Sequence, residues 1–89
     1  MTLDEMVAQR LKAGHEEYGD ASFRRSPAEL RREIREEIAD VIGWSTILEK
    51  VLMRIDRMDD KIEADLASLK ALAHISWDII KDMEDAADV

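Results

Sequence analysis

The sequence predicts an all-α protein, and three observations carry that reading. Apolar residues recur at alternating spacings of three and four along three successive segments, the period of a helix packed on one face. The composition suits helices: Ala, Ile, Leu, Val and Met dominate the apolar content, beside only three Gly and one Pro. Helix-start signals stand at the segment heads, the clearest being Ser26-Pro27 with Glu29 close behind.

The first segment runs from about Thr2 to Tyr18. Thr2 can cap it, and Asp4 and Glu5 lie in its first turn, near the positive end of the helix. Leu3, Met6, Val7, Leu11 and Gly14 form its stripe, Tyr18 continues it, and Gly19 is a plausible stop. Asp20 to Pro27 is the one clear connection. Ser26 reads as an N-cap with Pro27 at the first helical position, so a second helix begins there and is expected to run to about Met58. Its stripe is Leu30, Ile34, Ile38, Val41 or Ile42, Ser45, Leu48, Leu52 and Ile55. The polar stretch Asp56 to Asp60 suits a turn, and Asp59 or Asp60 can cap a third helix. That helix carries Ile62, Leu66, Leu69, Ala73, Ser76, Ile80 and Met83, widened by Leu72 and Ile79, and is expected to fray into the acidic tail from Glu84 to Val89. A break near Met58 is preferred to one continuous rod.

At 89 residues the chain fits one domain, residues 1–89, and is small for a self-sufficient core. Two long helices and one short one leave wide apolar faces. The expected architecture is therefore a short helical hairpin or bundle unit completed by oligomerisation, as a homodimer or homotetramer, into four-helix layers. The formal net charge of −8 disfavours nucleic acid and anionic membranes as partners. The absence of cysteine excludes disulfides and thiolate metal sites. No apolar run is long enough for a membrane span and the first residues do not read as a signal peptide, so a cytoplasmic protein is expected.

The chemistry resides in two acidic segments. In Glu36 to Asp40 (EEIAD), Glu37 and Asp40 are three apart and project to the same side of a helix, with Glu33 one turn earlier. They border the apolar seam at Ile34, Ile38 and Val41, where a cation would offset their mutual repulsion. In His15 to Asp20 (HEEYGD), Glu16, Glu17 and Asp20 repeat the same E-E-x-x-D spacing. Two such segments on antiparallel helices joined by a short loop would gather four carboxylates, a donor set suited to one or two Mg²⁺ ions that bridge phosphate oxygens and orient a water. With 21 acidic residues in the chain, either segment alone reads more simply as a solvated helix face. Their matched spacing around one loop distinguishes them.

These residues resemble the MazG family of all-α nucleotide pyrophosphohydrolases. GHEEYGDASF followed by LRREIREEIADVIGW is similar to the short MazG-like proteins of phages and bacteria, over roughly residues 9 to 55. The resemblance implies that Glu17, Asp20, Glu37 and Asp40 hold Mg²⁺, or Mn²⁺ as a substitute. It implies that Glu16 and Glu36 act as secondary ligands or water-positioning bases. A nucleoside triphosphate would be hydrolysed to its monophosphate and pyrophosphate. The third segment departs from the family's phosphate-gripping helix, offering only Lys61, Lys70 and Lys81.

Among the remaining residues, Arg24 and Arg25 flank the first acidic segment and are candidates to meet phosphate, or simply solubilise the loop. Trp44, one turn after Asp40, is a candidate to stack on a base, or a core residue. Trp77 is expected in a helix interface. His15 and His74 lack the spacing of a di-iron bundle. The competing reading is a non-catalytic helical oligomerisation module.

Overall fold

The computed structural model describes residues 1–87, with side chains through Asp85. Three helices follow one another: α1 over Leu3–Tyr18, α2 over Pro27–Arg54 and α3 over Asp60–Ala87, with a short 3-10 turn over Ala21–Arg24. The described residues contain no strand.

Local chemistry sets most of the boundaries. The Thr2 hydroxyl oxygen accepts the Glu5 amide at 3.1 Å and starts α1. Gly19 ends it at φ 62° and ψ −134°, a backbone region open essentially to glycine, with its amide donated to the His15 carbonyl at 2.7 Å. Ser26 starts α2 by accepting the Glu29 amide at 3.1 Å, and its hydroxyl donates to the Glu29 carboxylate at 3.2 Å. Asp59 starts α3 by accepting the Ile62 amide at 2.8 Å.

One boundary departs from the sequence reading. α2 stops at Arg54, not near Met58. Asp56 takes a left-handed conformation at φ 57°. The Arg57 amide then reaches the Leu52 carbonyl at 2.8 Å, and the Asp56 amide reaches Met53 at 3.2 Å. This is a Schellman ending with aspartate where glycine is usual. Asp tolerates that conformation better than most residues, which is why no glycine flagged the stop. The far end differs as well. α3 continues through Glu84 to Ala87 instead of fraying from Glu84, while residues 88–89 of the acidic tail lie outside the described residues.

α2 and α3 form an antiparallel hairpin. Arg35 pairs with Glu84 at 3.1 Å near its open end, and Glu49 pairs with Lys70 at 3.0 Å nearer the turn. The two α2 members are 14 residues apart, as are the two α3 members, so the register holds over about 21 Å. The seam is narrow. Leu66, Ala73 and Ile80, at heptad spacing on α3, are its buried apolar residues, and they meet α2 beside buried Ser45. Arg35 lays its guanidinium over the Trp77 ring, 5.5 Å from the centroid, so Trp77 stands at the edge of the helix interface and stays 38% exposed. By contrast, α1 buries no residue at all. No helix among the described residues is long and apolar enough to cross a membrane.

Candidate functional site

The second acidic segment lies at the middle of α2. At about 100° per residue, Glu37 falls on the rim of an exposed apolar stripe formed by Leu30, Ile34, Val41 and Leu48. Asp40 and Glu33 flank it on the outer side. Glu37, Asp40 and Glu36 form no ion pair among the described residues, so the Glu37–Asp40 pair stands without a protein cation. Glu36 lines a shallow groove with Arg32, Arg35, Ala39 and Trp77, on the other side of the hairpin. Trp44, one turn beyond Asp40, is 70% exposed and therefore free to stack.

The first segment lies at the end of α1. Glu17 lines a groove with Arg10, Gly14 and Tyr18 along α1, and it too borders an apolar stripe, that of Leu3, Val7 and Leu11. Hydrogen bonding with the neighbouring Glu17 carboxylate, reinforced by that carboxylate's charge, pushes the Tyr18 phenol above its ordinary value of 10.0. Glu16 pairs loosely with Lys12 at 4.0 Å. Asp20 sits beyond the helix end, 3.6 Å from His15 Nδ1.

The structure separates the candidate basic residues. Arg25 donates to Glu33 at 2.9 Å and to Glu29 at 3.4 Å. The bond to Glu33 leads the rise in its pKa, with Glu29 adding to it. A phosphate at Arg25 would have to displace two carboxylates. Arg24 forms no ion pair among the described residues and stands in the 3-10 turn.

The two acidic segments do not converge within one chain. Among the described residues no group of three or more His, Cys, Asp or Glu side chains stands close enough to hold a metal ion. α1 buries none of its residues, and the substantial helix packing is that of α2 on α3. The two segments, Glu17 with Asp20 and Glu37 with Asp40, thus stand apart within the chain. Sequence reasoning missed the cluster of Arg35, Trp77 and Glu84. The signal for it was the antiparallel register, readable once the turn at Asp56 is located.

No protein-family model, curated protein or solved structure matches the chain.

Proposed function

We propose that the chain is an Mg²⁺-dependent nucleoside triphosphate pyrophosphohydrolase of the MazG-like type. The observation that supports this most is the Glu37–Asp40 pair. It has no protein cation among the described residues, its Glu37 stands on the rim of an apolar stripe, and it is matched in spacing by Glu17 and Asp20, of which Glu17 borders a second stripe. Mg²⁺ held by these carboxylates would supply charge neutralisation for phosphate and a bound, polarised water. Glu16 and Glu36 would orient that water, Arg24 and Arg25 would meet phosphate oxygens, and Trp44 would stack on the base.

The test is pyrophosphate release from each common ribo- and deoxyribonucleoside triphosphate with Mg²⁺ or Mn²⁺. At least one should be hydrolysed, and Glu37→Gln or Asp40→Asn should reduce turnover by a hundredfold or more while the helical circular-dichroism signal persists. A folded protein inert on all of them sinks the reading.

One observation favours the alternative, a non-catalytic helical module: the four carboxylates do not meet within one chain. The two readings part on metal. A cation that binds only the folded state must raise the melting temperature by mass action. A rise with Mg²⁺ that Asp40→Asn abolishes supports the enzyme, and no rise at millimolar metal supports the module.

A further inference from the structure

The seam between α2 and α3 opens into a cleft on the side of the hairpin away from Glu37. At about 100° per residue, Arg32, Arg35 and Ala39 lie on one flank of the line by which α2 faces α3, and Glu37 lies on the other. The cleft has two parts that share Ala39 and Trp77. The inner part, of about 220 Å³, runs between Ile38, Ala39 and Ile42 on α2 and Ala73, His74 and Trp77 on α3. Apart from His74 its walls are hydrocarbon and indole. The outer part, of about 320 Å³, is bounded by Arg32, Arg35 and Glu36. The sequence accounts for the hollow: Ala39 and Ala73 are one carbon long, so the seam is not filled there.

Volume and charge together define what fits. An apolar cavity of about 150 Å³ already holds benzene, so the inner part has room for one aromatic ring. Trp77, 38% exposed, supplies a ring as one wall. The mouth gathers two arginines in a chain whose net charge is −8. Arg32 forms no ion pair among the described residues, while Arg35 gives one nitrogen to Glu84 at 3.1 Å. The Arg35 Nε has no acceptor, so the guanidinium keeps donor capacity that Glu84 does not fill. Three apart on one helix, Arg32 and Arg35 stand near enough to share one anion. Glu36 and Glu84 limit the charge of that anion. A phosphate dianion there meets twice the repulsion that a carboxylate meets.

We infer that the cleft binds a small aromatic carboxylate, with its ring in the seam against Trp77 and its carboxylate between Arg32 and Arg35. The site is separate from the triphosphate site proposed above, since Trp44, Glu37 and Asp40 lie on the other sides of α2. Neither metal nor nucleotide takes part, and the cleft stands whether or not the chain is a hydrolase.

Trp44→Phe leaves Trp77 as the single indole, so its emission reports on the cleft. Phenylacetate added to this variant, without metal or nucleotide, should change the emission saturably with a Kd of about 1 mM or tighter. Acetate lacks the ring and phenethylammonium reverses the charge, so each should bind at least about tenfold more weakly. In the same background Arg32→Ala, which breaks no ion pair, should weaken phenylacetate by about tenfold. Ala39→Leu fills the seam with another good helix former and should abolish the saturable change. Both variants should keep the helical circular-dichroism signal. No saturable change by about 10 mM phenylacetate, equal affinity for phenethylammonium, or unaltered binding in either variant overturns the inference.

Discussion

Truncating Arg35 tests the hairpin at its one aromatic anchor. Its guanidinium sits 5.5 Å from the Trp77 centroid and bonds Glu84 at 3.1 Å. A cation over an aromatic ring contributes about 0.5–1 kcal/mol when exposed and ~2 when desolvated. With the Arg35 side chain 31% exposed, a coupling near 1 kcal/mol is expected. The ion pair adds roughly 0.2–1 kcal/mol. The Arg35 Nε is buried without a partner, which subtracts from that sum. Arg35→Ala should therefore cost about 1–2 kcal/mol. The assay is urea unfolding by circular dichroism at one fixed protein concentration. A double-mutant cycle with Trp77→Ala isolates the ring contact. Additive effects within about 0.3 kcal/mol would refute the reasoning, because a real contact between the two cannot vanish from the cycle.

Gly14 and Gly43 lie inside helices with open space around a notional Cβ, so Ala at either should stabilise by about 0.5–1 kcal/mol in the same assay, whereas Gly19→Ala, at positive φ, should destabilise. Ser26→Ala removes the α2 cap and should cost about 1 kcal/mol. Tyr18 is the one tyrosine, so its phenolate absorbance titrates without overlap from another; the midpoint should lie above 10.0 and fall back toward it in Glu17→Gln. Its folded pKa is the higher one, so the Tyr18 contribution to stability is complete below pH 10 and is lost as pH climbs through the raised value. If Mg²⁺ binds only the assembled chain, millimolar Mg²⁺ should tighten association of the wild type in sedimentation and leave Glu37→Gln unchanged.

The fold was legible because its signals are local. Thr2, Gly19, Ser26 and Asp59 each act through a hydrogen bond or a dihedral within four residues, and each stands at the boundary the sequence suggested. The α2 stop was misplaced because Asp56 adopts a left-handed conformation that the sequence usually advertises with glycine. Core membership was harder to read. Leu66, Ala73 and Ile80 were foreseen on α3, yet Leu48, Leu69 and Met83 from the same expected stripes are exposed. A period of 3.6 shows which residues share a face. It does not say whether the chain itself or another copy covers that face.

The same distinction governs the acidic segments. Their spacing was readable, and so was the place of Glu37 beside the apolar residues of α2; that Glu17 also stands at a stripe rim was not read from the sequence. The convergence of the two pairs was not readable, because it depends on where α1 lies, and α1 has no residue buried against its own hairpin. Covering the α2 stripe would change the physics at Glu37. Removing water lowers the local dielectric and makes an unpaired carboxylate costly, while its attraction to a cation strengthens by the same cause. A stripe edged by carboxylates is therefore a poor interface without a counter-ion and a good one with it. If a second copy covers that stripe and a cation binds there, metal binding and assembly favour each other.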